Sequence, residues 1–206
     1  AVTLPPPDGN GFVGAIFSEG WQEYVGACLS QPMVAGNEYE LNMQIHATLI
    51  TGQGGACGAP NFPAIDITIF GNPGCNELPY TTTGCPGGNW QAMGSVNYDP
   101  SNIWAPISIT FTPTVNISAV MIGSPCTLPG GYSAASCYPY FVFDNLLLNE
   151  TSFFATVGID QIGTWCNNDI VLQASADTTG GVWQWYKEGI ALVGQTGANL
   201  SVSALS

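Results

Sequence analysis

The stretch Pro139-Tyr-Phe-Val-Phe-Asp-Asn-Leu-Leu-Leu-Asn-Glu150 limits what this chain can fold into more than any other. On an extended strand, Tyr140, Val142, Asp144, Leu146 and Leu148 point one way, and Phe141, Phe143, Asn145 and Leu147 the other. Apolar residues occupy both faces, which fits a central strand of a sandwich rather than a half-exposed edge. Burial of its large side chains is worth roughly 1.5–3 kcal/mol each before conformational entropy is subtracted. One acid, Asp144, interrupts the run. A buried carboxylate must be paired, hydrogen-bonded or metal-bound. Lys187 is the single Lys or Arg of the chain, and it lies far downstream. Asp144 therefore requires backbone N–H groups, water or a metal ion, or a place at the wet end of the strand.

The same shortage of cations excludes whole classes of function. Fourteen acids against one base give a net charge of −13. Such a surface repels phosphate backbones and anionic head groups, which argues against nucleic-acid binding and electrostatic membrane attachment. Only 7% of residues are charged, so Asn, Thr, Ser, Gln and Gly must wet the surface. With 26 Gly and 15 Pro, turns are frequent and strands short. The length, 206 residues, suits one large β domain or two ordinary ones. Seven cysteines without metal-finger spacing indicate disulfides and an oxidising compartment, hence a secreted or cell-surface protein. No run reaches the roughly 18 apolar residues of a membrane-spanning helix. Ala-Val-Thr-Leu-Pro-Pro-Pro is no signal peptide, so any targeting segment is expected to have been removed.

Taken in order, the chain reads as strands separated by loops. Leu4 to Gly14 is a Pro/Gly opening loop. A strand is expected over Glu23–Leu29. Glu38 to Leu49 alternates cleanly, with Tyr39, Leu41, Met43, Ile45 and Ala47 inward and Glu38, Glu40, Asn42, Gln44 and His46 outward. Thr51 to Pro63 is a Gly-rich loop. Ala64–Phe70 is a strand with Ile65, Ile67 and Ile69 on one face. Gly71 to Trp90 is a long loop. Strands follow with Ile107, Ile109 and Phe111 inward, then Ile117, Ala119 and Met121 inward. Ser124 to Tyr138 is a second cysteine-bearing loop. No helical period competes over ten or more residues, so the fold class is all-β, a sandwich with long aromatic loops.

Six cysteines precede Glu150: Cys28, Cys57, Cys75, Cys85, Cys126 and Cys137. They allow fifteen pairings. The two late loops suggest local bridges, Cys75–Cys85 and Cys126–Cys137, which leaves Cys28–Cys57 by exclusion. After Glu150 the texture changes, and a domain boundary is expected within Leu148–Thr156, giving domains 1–150 and 151–206. In the second, Cys166 and then Trp183-Gln-Trp-Tyr form the first half of an immunoglobulin-type Cys…Trp…Cys pattern. The second cysteine is absent, so this piece is expected to be the N-terminal part of a domain.

The first domain resembles the galactose-binding-like jelly-roll modules of large secreted Bacteroidetes proteins. The resemblance rests on Asp8-Gly-Asn-Gly-Phe-Val-Gly14, Glu23-Tyr-Val-Gly-Ala-Cys-Leu-Ser-Gln-Pro-Met-Val-Ala-Gly36, Tyr39-Glu-Leu and Ile69-Phe-Gly71. Cys75, Trp90, Trp104 and Tyr140-Phe-Val-Phe-Asp-Asn-Leu-Leu-Leu148 complete it. Through Trp183-Gln-Trp-Tyr-Lys-Glu-Gly189, the second piece resembles the Ig-like repeats that follow such modules. The resemblance implies a jelly-roll β-sandwich followed by a partial immunoglobulin-like β-sandwich. It also implies a fragment of a longer surface protein of the gliding-motility or type IX secretion kind, with neighbouring domains as partners.

Such modules bind sugars through exposed aromatics and often hold structural calcium. Loop candidates for ligand binding are Trp21, Tyr80, Trp90, Tyr98, Trp104, Tyr132 and Tyr138. A pyranose stacks on the apolar ring face while Asn, Gln and Asp take its hydroxyls. Asp144 with Asp8 is the candidate pair for Ca²⁺, against a bland alternative in which Asp144 caps backbone N–H groups. His46, the single histidine, reads as a surface residue, and no G-x-S-x-G turn supports a triad around it. Asp177-Thr-Thr179 resembles a bacterial O-glycosylation acceptor, with a simple turn as the default. Asn116, Asn149 and Asn199 head N-x-[ST] triplets that matter only in a eukaryotic secretory route. The expected function is a non-catalytic extracellular binding module of an adhesin, contacting a glycan or another surface ligand. The alternative is an accessory carbohydrate-binding module of a secreted glycoside hydrolase whose catalytic domain lies outside this chain.

Overall fold

The computed structural model describes residues 5–80, 84–133, 136–154, 157–163, 170–176, 183–187 and 189–202. The chain divides into two compact units, Ala1–Glu150 and Thr151–Ser206.

In the first unit the strands are β1 (Val13–Ser18), β2 (Trp21–Gln22), β3 (Tyr24–Met33), β4 (Tyr39–Ile50) and β5 (Ala56–Gly58). They continue as β6 (Ile65–Asn72), β7 (Gln91–Tyr98), β8 (Ala105–Phe111), β9 (Ile117–Gly123) and β10 (Tyr138–Glu150). A six-stranded sheet runs β2-β1-β10-β4-β5, with β8 also paired to β4. A four-stranded sheet runs β3-β9-β6-β7. All of these pairings are antiparallel.

The inner faces of the two sheets share one core. Phe17, Leu41, Ile45, Ile109, Phe141 and Phe143 come from the six-stranded sheet, and Ile65, Ile67, Ile69, Ile117 and Ile122 from the four-stranded one. Phe17 stacks on Phe141 with centroids 4.5 Å apart. The alternation expected in β4 and β6 places these residues as read. β9 departs from its reading. Ala119 and Met121 face an outer cluster, while Val120 and Ile122 enter the main core. A strand buried on both faces carries no polar alternation to reveal which side is which.

β10 is the long central strand expected from the sequence, with β1 on one side and β4 on the other. Its register against β4 slips between Asp144 and Leu147, where Asn145 has a positive φ of 50°. Asn tolerates this left-handed conformation better than most residues. One extra residue reverses the facing of everything after it. Leu148 therefore packs against the core that Phe141 and Phe143 enter, while Leu146 and Leu147 are exposed.

Strands also lie where loops or nothing were expected: the short β2 and β5, and the longer β1 and β7. β1 begins inside the opening Gly-rich segment. β7 reads Gln-Ala-Met-Gly-Ser-Val-Asn-Tyr, too small and polar to show a hydrophobic period. Its Gly94 lies against β8: a Cβ there would stand 3.0 Å from Phe111 Cβ and 3.1 Å from Ile109 Cγ2.

In the second unit β11 (Val157–Ile162), β12 (Val171–Ala176) and β15 (Asn199–Ser201) form a three-stranded sheet, and β13 (Tyr186–Lys187) pairs with β14 (Ile190–Ala191). Ala174, Trp185 and Leu200 make its small core, with Trp183 packed alongside. Trp185 Nε1–H donates to Gly197 O at 2.8 Å. Cys166 and the Asp177-Thr-Thr179 triplet lie outside the described residues.

Candidate functional site

With Phe141 and Phe143 committed to the core, the intervening residues of β10 decorate the outer face of the six-stranded sheet. Tyr138, Tyr140, Val142 and Asp144 stand opposite Ile50, Thr48, His46 and Gln44 of β4. The face is covered at one end and open at the other.

At the covered end, Asp144 is buried and its Oδ2 accepts the Asp8 backbone N–H at 2.9 Å. This is the capping alternative for the acid. Asp8 meets it through its main chain, and Asp8 itself is exposed. Among the described residues no group of three or more His, Cys, Asp or Glu is assembled.

Beyond it the chain between β7 and β8 crosses the edge of β4, where Ala47 N–H donates to Ser101 O at 2.8 Å. This brings Trp104 over His46, with centroids 5.5 Å apart, and Phe12 lies 6.2 Å from Trp104. His46 is thus buried, 2% exposed, not the surface residue expected. Alternation placed it on the correct face, but that face is roofed here. Burial holds its imidazole below the usual value, opposed by hydrogen bonding to the Asn102 backbone. His46 Nδ1 and Trp104 Nε1 are buried without a protein partner.

The open end is built from three short pieces of backbone. The β1–β2 hairpin turns at Glu19-Gly20, with Gly20 at φ 77°, and pairs Trp21 with Ser18. The Gly-rich turn after β4 is closed by Thr51, whose N–H donates to Gly55 O at 2.7 Å and whose Oγ1 accepts Gly55 N–H at 3.0 Å. The Cys57–Cys137 disulfide fixes the chain just before Tyr138.

Trp21 and Tyr138 meet on this scaffold, edge to face, with centroids 6.4 Å apart. Trp21 is 48% exposed, yet it is held in place. Its Nε1–H donates to Glu23 Oε1 at 2.9 Å, and Glu23 Oε2 accepts the Ile16 N–H at 2.8 Å. Tyr140 continues the strip inward, across Gly14. A Cβ at Gly14 would sit 2.6 Å from Tyr140 Cζ, so only glycine leaves room for the phenol ring. Burial, and secondarily the charge of Glu23, raises the Tyr140 phenol above its usual value.

Of the seven aromatic candidates the structure brings together Trp21 and Tyr138. Three are corrected, because they are buried. Tyr132 is wholly enclosed, stacked on Phe141, and its hydroxyl donates to Pro63 O at 2.7 Å. Tyr98 closes the core, with its hydroxyl on Ser101 O. Trp90 belongs to a second cluster with Phe70, Ala119 and Met121 on the outer face of the four-stranded sheet. Tyr80 is half-buried in that cluster, edge-on to Tyr24. Trp104 is half-buried in the roof over His46. Glu23 and Tyr140 escaped the sequence reading. The signal for Glu23 was an acid two residues after a loop tryptophan.

All six cysteines of the first unit are in disulfides, but the expected local bridges are corrected. The pairs are Cys28–Cys75, Cys57–Cys137 and Cys85–Cys126. Their Cα separations of 5.6, 6.1 and 4.6 Å fall in the bridging range. The loops fold across the sheet faces, so each cysteine meets one from another loop or strand and not its neighbour in sequence.

Clefts also lie elsewhere among the described residues. One of about 410 Å³ is lined by Asp66, Thr68, Phe70, Met93, Pro125 and Cys126. Another, of about 430 Å³, lies where β3 departs from β9 and is lined by Leu29, Gln31, Met33, Tyr39, Asn149 and Glu150. Comparison with family models, with curated proteins and with solved structures returned no match.

Proposed function

We propose that Ala1–Glu150 is a non-catalytic extracellular binding module of a cell-surface adhesin, and that it contacts carbohydrate through Trp21 and Tyr138. The observation that carries this reading is the tethered, half-exposed indole of Trp21. An exposed tryptophan costs solvation, and a free one would fold down onto apolar surface. Here a carboxylate anchored on the Ile16 N–H accepts the indole N–H and restrains the ring. A preorganised ring offers its apolar face to the C–H face of a pyranose at little cost in rotamer entropy. Three disulfides support an oxidising, extracellular setting. Among the described residues no helix is long and apolar enough to cross a membrane.

The test is a glycan array probed with the full chain, followed by titration of the best ligand. Trp21→Ala should lose the array signal and weaken titrated binding at least about tenfold, with Tyr138→Ala weakening it less. A nucleobase stacked on an aromatic side chain is worth about 1–3 kcal/mol, which sets the scale of the loss expected here. Retained affinity in a Trp21→Ala, Tyr138→Ala double variant would overturn the assignment, as would an array without signal.

A further inference from the structure

We infer that Glu23 makes the Trp21–Tyr138 platform charge-selective, favouring amino sugars, then neutral sugars, over uronic, sialic or sulfated ones. The inference rests on the carbohydrate reading above and names the ligand class within it. The Nε1–H of an indole lies in the plane of the ring. The carboxylate that accepts it, at 2.9 Å, therefore stands at the ring's edge and covers neither face. A sugar stacked on the exposed part of the ring lies about 5–6 Å from that carboxylate, given ordinary stacking separations.

No lysine or arginine of the unit offsets this charge, since residues 1–150 contain none. Glu19, on the hairpin turn beside Trp21, is exposed and adds a second negative group. The groups that contact the Glu23 carboxylate are an indole N–H and a backbone N–H, both neutral donors. Tyr140, whose phenol feels the Glu23 charge, is itself neutral. A ligand carboxylate or sulfate thus meets repulsion at the rim, and an ammonium meets attraction. At these distances and in a half-exposed site, one unit charge is worth about fivefold to tenfold in affinity, declining with salt.

The experiment titrates the full chain with three oligosaccharide series at low and high salt: glucosamine oligomers, their N-acetylated counterparts and oligogalacturonate. Wild type should rank them in that order, with steps of about fivefold to tenfold at low salt that shrink at high salt. Glu23→Gln keeps an oxygen to accept the indole N–H. It accepts only one of the two N–H groups that Glu23 holds, and it should compress the series, drawing the glucosamine and galacturonate affinities towards the N-acetylated one. Glu19→Gln should compress it less, because the carboxylate that accepts the indole N–H is that of Glu23. A melting curve for each variant establishes that it is folded. A flat series in wild type, or an equal spread in Glu23→Gln, overturns the charge selectivity while leaving the platform intact. Loss of N-acetylated binding in a folded Glu23→Gln variant overturns it too, and reduces Glu23 to a positioning residue. If wild type binds none of the three series, and no other glycan, the carbohydrate reading fails together with the inference.

Discussion

The two sheets of the first unit carry aromatics on their outer faces and treat them in opposite ways. On the four-stranded sheet, Phe70 and Trp90 are buried with Tyr24, Leu78 and Tyr80 packed against them. On the six-stranded sheet, Trp21 stands half exposed beside Tyr138. Both faces are bordered by Gly-rich loops, so loop composition in glycine does not separate them. The segment from Pro73 to Asn89 carries Leu78 and Tyr80 and is anchored through Cys28–Cys75 and Cys85–Cys126. It has apolar side chains to lay over the sheet and covalent ties that return it there. The Thr-Gly-Gln-Gly-Gly turn at 51–55 has nothing apolar to contribute. An aromatic next to a glycine-rich loop becomes core or platform according to what the loop can place on top of it.

The largest test of this contrast is stability. Trp90→Ala or Phe70→Ala should cost about 3–5 kcal/mol by chemical denaturation, as expected for emptying a packed aromatic site. Trp21→Ala should cost less, about 1 kcal/mol, for its exposed hydrogen bond to Glu23 and its ring contact with Tyr138. Comparable losses at both sites would erase the distinction. Opening the anchored loop comes next. Cys28→Ser with Cys75→Ser should lower stability by about 2–4 kcal/mol and raise acrylamide quenching in a Trp21→Phe background, where the newly accessible ring is Trp90.

At the covered end of the six-stranded sheet, Asp144→Ala should cost about 1.5–3 kcal/mol, the range for a hydrogen bond to a charged group. Because the Asp8 N–H already satisfies Asp144, chelation with EDTA should leave the melting temperature unchanged. A fall on chelation would place calcium at this pair.

The smallest effect is at His46. Burial depresses its pKa, so as pH falls the unfolded chain takes up the proton near its ordinary value of about 6.5, before the folded one does. In that window the unfolded state binds more protons, and stability declines with falling pH. It levels off once pH passes below the depressed folded value. His46→Gln should flatten the stability curve between about pH 7 and that point. An unchanged slope would mean that His46 does not titrate behind Trp104.

Most of the fold was legible where strands present large aliphatic side chains in alternation. Ile65, Ile67 and Ile69, and the Tyr39-to-Ala47 series, lie inward as read. It was illegible where the sheet is thin or doubly covered. β7 packs through Gly94 and shows no period, and β9 is apolar on both faces. The facing reversal in β10 depends on one left-handed residue, Asn145. The disulfides misled because short loops favour local closure in entropy, whereas these loops cross the sheets. At the site, Trp21 and Tyr138 were both candidates, but their meeting depends on β1 pairing with β10. The roof over His46 depends on a backbone contact at Ser101 that no motif announces.

Calorimetric titration of one neutral glycan from the array against wild type and Trp21→Ala tests the platform most directly, with thermal denaturation of both run alongside. Binding should weaken at least about tenfold while the variant still unfolds in one cooperative transition close to that of wild type. Equal affinity in the two proteins, or a loss of binding that follows a loss of fold, would contradict the assignment of Trp21 as the ligand-bearing ring.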